Sequence, residues 1–533
     1  MKKKLVPLFL LTISLVVTGC NPFQDIIKGP VVDTYDHAYD NLAISTLESQ
    51  YMTKTYTDYA KYNYYASAYC PNKGHPKLLI VPVWFTDSDD YILSRDNVRN
   101  DIQKAYLGTT LETGWESVTT YYQKDSFGKV TIEGTVLPWF ECGKESTYYY
   151  TDTQAITKTT ALVNSAYNYA KEYIGTDLTE YDTDQDGFLD GIMLIYGAPD
   201  EQALNRSAES EISAPNMWAY AYWTRNSKNV TVPPAKAFFW ASYDFMYSYG
   251  TKASSRAGSN FGSGDTTYCY IDAHTYIHEM GHVFGLDDYY DYSSYRKSPG
   301  LGFSMQDENI GAHDPFSRLA LGWAKAYIPT ETSKFKLKTI ENSGEVILLR
   351  NNTSTSAFNE YILIEFYSPE RLNKFDVEHA YGGYQKGPEE YGLRVWHVDA
   401  RLASFHGWST TITDDPSKGD VIVATNNSTY ETGNKNRAIN YAGSYDYNEI
   451  QVIRRNYQLS DENGNEIPDY FLRTDSLLNS DLFKKDDFFT THKYRRQFVN
   501  RDKMNNNSKL GWSFYVDDIN LLTKEATITC IKN

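Results

Sequence analysis

His278, Glu279 and His282 stand in the order H-E-x-x-H, inside the stretch Tyr276-Ile-His-Glu-Met-Gly-His-Val-Phe-Gly-Leu-Asp-Asp-Tyr-Tyr290. Two histidines four apart share one face of a helix, about one turn from each other, so both imidazoles can reach a single Zn²⁺ at roughly 2.0–2.1 Å. Glu279 lies beside them, where a carboxylate can take a proton from a metal-activated water and later hand it to a leaving amine. That is the general acid/base step of peptide-bond hydrolysis. With 10 histidines in 533 residues, the five-residue pattern arises by accident in roughly one such chain in a hundred. The bland alternative is a solvent-facing helix carrying two ordinary histidines.

Gly285 lets the chain turn sharply after the helix, and the third ligand of a metzincin-like site would then fall ten residues after the first histidine, at Asp288. A carboxylate oxygen is a competent zinc ligand at roughly 2.0–2.2 Å. The competing candidates are Asp287 and a more distant glutamate, and Asp288 could instead cap or salt-bridge the turn. Downstream, Gly302-Phe-Ser-Met305 has the form of a Met-turn, with Met305 as a soft apolar floor under the ligands; ordinary core packing is the alternative.

Two stretches have calcium-loop spacing. Asp182-Thr-Asp-Gln-Asp-Gly-Phe-Leu-Asp190 offers Asp182, Asp184, Asp186, the Phe188 carbonyl and Asp190, with glycine at the sixth position. The twelfth position is Met193, so this is not a complete EF-hand, and an acidic surface turn is the alternative. Asp461, Asn463, Asn465 and Asp469 form a weaker set, in which Glu466 replaces the glycine. His274 and His313 lie near the metal motif, where an isolated histidine is more often a hydrogen-bonded structural residue than a second-shell or substrate group. His397 and Asp399 read as packing or hydrogen-bonding residues, not catalytic ones.

These residues need a scaffold. Lys77-Leu-Leu-Ile-Val-Pro-Val-Trp-Phe85 is a continuous apolar run of strand length, as expected of a buried strand opening a domain. Helices are predicted around Trp115 to Gln123 and Thr151 to Ile174, and strands over Lys129 to Val136 and Gly191 to Tyr196. The alternation predicts an α+β or α/β metal-binding domain over residues 73–330, with a mixed sheet and the motif helix. Ser254 to Asp265, rich in Gly and Ser, reads as a loop walling the cleft. Beyond residue 330, short strands such as Lys334 to Ile340, Glu360 to Phe366, Leu393 to Val398 and Glu525 to Ile531 predict a β-rich domain over 331–533.

The first nineteen residues read as an export signal, with Lys2, Lys3 and Lys4 before an apolar run from Leu5 to Val17 that is too short to span a bilayer. Val17-Thr-Gly-Cys20 resembles the bacterial lipobox, which implies a lipid on Cys20 and a protein anchored at the bacterial cell surface; a plain secretory signal is the alternative. Residues 20–72 read as a tether or pro-segment. Cys70, Cys142, Cys269 and Cys530 could form two disulfides or remain free thiols. A net charge of −17 without a basic cluster argues against nucleic acid as partner, while 47 tyrosines suit a broad, wet cleft.

With the H-E-x-x-H-x-x-G-x-x-D residues, the chain resembles the immune inhibitor A family of secreted, metzincin-like bacterial metallopeptidases. The likeness includes Leu79-Ile-Val-Pro-Val-Trp-Phe-Thr-Asp87, Tyr121-Tyr-Gln-Lys-Asp-Ser-Phe-Gly128, His313-Asp-Pro-Phe-Ser-Arg-Leu-Ala-Leu-Gly-Trp323 and Gly392-Leu-Arg-Val-Trp-His-Val-Asp399, spanning roughly residues 76 to 400. The resemblance implies a zinc endopeptidase acting on extracellular proteins or peptides. Metzincins usually place a histidine where Asp288 stands, and members of the resembled family often carry proline where this chain has Asp287. The other expectations are a catalytically silent adhesive lipoprotein on the same scaffold, and a zinc hydrolase of another amide bond.

Overall fold

The computed structural model describes residues 34–45, 69–152, 156–207, 211–247, 271–290, 299–379, 386–403, 412–418, 421–424, 426, 447–456 and 477–533. Cys20, the Ser254 to Asp265 stretch, Cys269 and the weaker calcium set at Asp461, Asn463, Asn465 and Asp469 lie outside these residues. The described part is a mixed α+β structure with a β-rich C-terminal region.

The apolar run at Lys77–Trp84 forms strand β1 of a six-stranded sheet. Its neighbours are β2 (Glu133–Val136), β3 (Phe140–Glu141), β4 (Ile192–Tyr196), β5 (Tyr220–Trp223) and β6 (Ala237–Ser242). The order is β2-β1-β4-β6-β5, with β3 also on β1. All pairings are parallel except that of β5, an antiparallel edge strand. Successive β1 side chains alternate between two cores: Leu78 and Ile80 enter one, Leu79, Val81 and Val83 the other. Both faces are buried, which is why the sequence shows an unbroken apolar run.

Helix α1 (Arg95–Leu107), helix α2 (Val118–Asp125) and the motif helix pack on the first face, and helix α3 (Thr157–Ile174) buries Leu162, Val163 and Ala166 on the second. Ser94 and Ser117 cap α1 and α2 by accepting main-chain N–H bonds. Helix α3 starts later than Thr151, because Ile156 sits at φ 55°, outside the helical region.

The C-terminal region is a sandwich. One sheet joins β7 (Lys325–Tyr327), β9 (Glu345–Leu349), β10 (Glu360–Tyr367), β11 (Gly392–Asp399) and β12 (Ile450–Ile453); the other joins β8 (Ser333–Lys338), β13 (Phe488–Phe489), β14 (Trp512–Asn520) and β15 (Glu525–Lys532). Ile362, Ile364 and Phe366 of β10 face the second sheet, whereas Tyr361, Leu363 and Tyr367 share one core with the motif helix. β7, which precedes residue 331, pairs parallel to β9. The two regions are therefore joined by packed side chains and by a strand.

Residues 34–45 lie on the sandwich. Ile44 bridges to Lys334 of β8, the Ser45 N–H donates to the Lys334 carbonyl at 2.6 Å, and Tyr35 stacks on Tyr515 at 3.8 Å. Cys70, Cys142 and Cys530 are free thiols. Among the described residues no helix is long and apolar enough to cross a membrane.

Candidate metal centre

The motif occupies helix α4 (His274–Phe284), where every residue except His282 is buried. Gly285 ends it at φ 108°, a left-handed conformation that costs glycine little, and the Leu286 N–H closes back on the Gly281 carbonyl at 3.0 Å. This reversal brings Asp288 back over the helix. Its Oδ1 lies 2.9 Å from His278 Nε2 and 3.2 Å from His282 Nε2. Two ligands of one tetrahedral zinc, each at roughly 2.0–2.2 Å, stand roughly 3.3 Å apart, so the three donors fit that ion. Asp288, not Asp287, reaches both histidines.

The other ring nitrogens are tied down. His278 Nδ1 donates to the Met305 carbonyl and His282 Nδ1 to the Leu286 carbonyl, each at 2.7 Å, which leaves both Nε2 atoms facing Asp288. Met305 thus contributes its main chain to the site, and its side chain is fully buried. Burial pushes the His282 imidazole down, yet Asp288 outweighs this and lifts it to about 10. Burial would raise Asp288, but the two imidazoles hold it well below the usual carboxylate range.

Glu279 is 6% exposed, its Oε2 meets no hydrogen-bond partner, and burial raises its carboxyl above the ordinary value. Its carboxylate also takes a hydrogen bond from the main chain of Ala221, in edge strand β5. Helix and strand form opposite walls of a groove of about 540 Å³ that includes Tyr69, Tyr220, Trp223, Glu279 and His282. Tyr290 also lines it: its phenol bonds to Asp288, and its ring lies 6.2 Å from that of His278. Sequence reasoning missed both β5 and Tyr290. Tyr290 follows the third ligand by two residues, a signal that was readable; the position of β5 was not.

A buried network holds the floor. His313 Nδ1 bonds to Asp125 at 2.8 Å and its Nε2 to Gln306 Oε1 at 3.1 Å. Gln306 follows Met305 and packs so closely on Gly281 that a Cβ there would lie 2.1 Å from its Oε1. Arg318 grips the same Asp125 through Nε and Nη2 at 3.0 and 2.7 Å, and Glu341 at 2.9 Å. His313 therefore acts on the metal helix through Gln306. His397 bonds to Glu360 at 2.9 Å and Asp399 to Arg401 at 2.6 Å, both within the sandwich.

His274 begins α4, stacked on Trp115 at 4.0 Å and held between Asp272 at 2.7 Å and Asp376 at 3.2 Å. Burial pushes its imidazole down, but Asp376 and Asp272 prevail and lift it to about 9. A folded value above the unfolded ~6.5 stabilises the protein fully below pH ~6.5, and that contribution disappears as pH rises through about 9. The effect is on the order of 3 kcal/mol. Wild-type thermal midpoints should therefore fall more steeply between pH 7 and 9.5 than those of His274→Gln. Parallel curves would contradict the buried imidazolium.

In the loop before β4, the carboxyls of Asp182, Asp184 and Asp190 gather within 4.8 Å. Asp186 occupies the same loop, with Oδ1 accepting the Phe188 N–H at 2.8 Å. Asp182 is 5% exposed and its Oδ1 has no hydrogen-bond partner. Burial pushes Asp186 and Asp190 up to about 7. Asp190 also accepts the Lys77 N–H at 2.7 Å, tying the loop to the start of β1. An orphaned carboxylate oxygen among crowded acids fits a hard cation such as Ca²⁺. No protein-family model matches this chain, and no curated protein matches it.

Proposed function

We propose that this chain is a metzincin-like zinc endopeptidase, exported and held at the bacterial surface by a lipid on Cys20, that cleaves extracellular proteins or peptides. The observation that carries the reading is the convergence of His278 Nε2, His282 Nε2 and Asp288 Oδ1 beside the buried carboxylate of Glu279. Zinc, when bound, supplies the Lewis acidity that polarises a scissile carbonyl and acidifies water. The chain supplies the rest. Among the described residues β5 is an edge strand that pairs with β6 alone and lies along the groove, and an extended peptide can add beside it as a further strand. Glu279 accepts the proton of the attacking water and returns it to the amine of the departing product. Tyr290 lines the same groove, and its O–H, which donates to Asp288 here, can turn to donate to a carbonyl oxygen as negative charge develops.

The direct test is metal analysis coupled to casein hydrolysis. Chelation should abolish hydrolysis, and zinc added back in amounts matching the protein should restore it. Hydrolysis by the thoroughly demetallated protein would overturn the reading.

The Asp182 to Asp190 loop is proposed as a calcium site that fixes the entry to β1 and β4. At a free calcium concentration of about 100 times the dissociation constant, binding to the folded state adds roughly 2.7 kcal/mol. Calcium added to chelator-treated protein should raise the thermal midpoint, and Asp182→Asn should remove the increase. A midpoint indifferent to calcium would argue for an acidic turn alone.

A further inference from the structure

A second cavity, of about 410 Å³, lies on the sandwich and shares no lining residue with the groove. Arg455, Lys493, Arg495 and Arg496 line it, and Asp487 is the one acid among its described lining residues. Four cations against one acid is the reverse of the balance in a chain whose formal charge is −17. The sequence shows no basic run because folding assembles the cluster from two distant stretches, one just after β12 and one just after β13. Asp487 is already engaged, accepting from Arg455 Nε and, at 2.6 Å, from the Lys484 N–H. Lys493 and Arg495 are both exposed. Lys493 Nζ donates to the Phe488 carbonyl at 3.0 Å and Arg495 Nη1 to the His492 carbonyl at 3.1 Å, and among the described residues neither pairs with a carboxylate. Like charges gathered around one cavity repel each other, and an anion entering it relieves that repulsion.

The N-terminal segment meets the sandwich at the same edge. Tyr35, stacked on Tyr515 of β14, lies 6.3 Å from the ring of Phe488 in edge strand β13, and it is the carbonyl of this Phe488 that Lys493 holds. From there the segment crosses to β8, at the opposite edge of that sheet, where Ile44 bridges to Lys334. The described chain therefore begins beside the basic cavity. Cys20 stands fourteen positions before Thr34, a reach of at most about 50 Å even when fully extended.

We propose that this cavity docks the phosphate headgroups of anionic phospholipids, so that the β13 edge of the sandwich lies against the membrane in which the Cys20 lipid sits. The inference rests on the lipid-anchor part of the reading above and adds an orientation that an anchor alone does not fix. Anionic headgroups attract lysine and arginine within about a Debye length of the bilayer surface. A chain of strongly negative net charge is repelled by that surface elsewhere, so its uncompensated cations decide which face turns inward. Because β10 gives side chains both to the sandwich core and to the core of the motif helix, fixing the sandwich also fixes the direction in which the groove points.

The test separates the cavity from the anchor. The full mature chain carrying Cys20→Ser, which cannot be acylated, is titrated with vesicles of phosphatidylcholine and with vesicles of equal parts phosphatidylcholine and phosphatidylglycerol. It should bind the anionic vesicles alone, and its affinity should fall about fivefold for each of Lys493→Gln and Arg495→Gln. Removing the same two charges from other elements, with Lys374→Gln and Lys418→Gln, should leave the affinity within about twofold of the parent, because both of those side chains are exposed and outside the cavity. Equal binding to the two vesicle types would overturn the proposal, as would an equal loss in the control pair. Displacement by inorganic phosphate, where sodium chloride of the same ionic strength has no effect, would also overturn it and assign the cavity to a soluble phosphate. Mass spectrometry of the native protein examines the anchor by itself. An unmodified Cys20 sinks the anchor and this orientation with it, whereas an acylated Cys20 without selective vesicle binding sinks the cavity's role alone.

Discussion

Glu279→Gln should reduce casein hydrolysis by roughly a thousandfold or more while the protein keeps its zinc and its thermal midpoint. Glutamine has nearly the same shape and can still accept the bond from the Ala221 main chain, so neither helix α4 nor strand β5 has reason to move. What it lacks is basicity. The wild-type carboxylate has a buried, unpartnered oxygen, and its burial makes it a stronger base than an exposed glutamate. That combination suits a group that must take a proton and give it back. A loss of activity accompanied by loss of zinc would instead mean that Glu279 is structural, and undiminished hydrolysis would refute the mechanism.

Arg318→Leu should be the most destabilising single change outside the metal centre, by roughly 3–5 kcal/mol in urea unfolding. Arg318 is 1% exposed and neutralises two buried acids, Asp125 and Glu341. Burial alone would raise Asp125; Arg318 and His313 bring its carboxyl down to about 2, so it is ionised in the folded protein at all ordinary pH values. Removing the guanidinium strands that charge in a place water cannot reach. Zinc affinity should fall as well, because Asp125 holds His313, His313 holds Gln306, and Gln306 packs against Gly281 of α4. If the loss is electrostatic, adding Asp125→Asn and Glu341→Gln to Arg318→Leu should recover part of the stability. A variant as stable as the parent would show that the network is dispensable.

Much of this site was legible because its chemistry is local in sequence. His278, Glu279 and His282 lie on one helix, where periodicity alone places them together, while Asp288 and Met305 were legible through the likeness to a metzincin-like site and its Met-turn. β1 was readable for a similar reason, since burial on both faces leaves an unbroken apolar run. The partners that come from far away were not. Nothing about Ala221 in isolation says that its main chain will meet Glu279, because an edge strand's position depends on the whole sheet order β2-β1-β4-β6-β5. Glu449 is one acid in a strongly acidic chain until folding buries it against Asp287. Helix starts were blurred for a smaller reason: Ile156 adopts a left-handed conformation that β-branched residues seldom take, and no composition rule anticipates it.

The double burial of β10 bears on how this chain can change over generations. Tyr361, Leu363 and Tyr367 belong to the core beneath the metal helix, while Ile362, Ile364 and Phe366 on the same strand belong to the sandwich. A crossover near residue 330 that exchanged one β-half for another would have to recreate the first set of side chains along with the second. The sandwich is thus inherited with the half that carries helix α4 and is not a detachable module, and new partners must be acquired in its loops and outer faces.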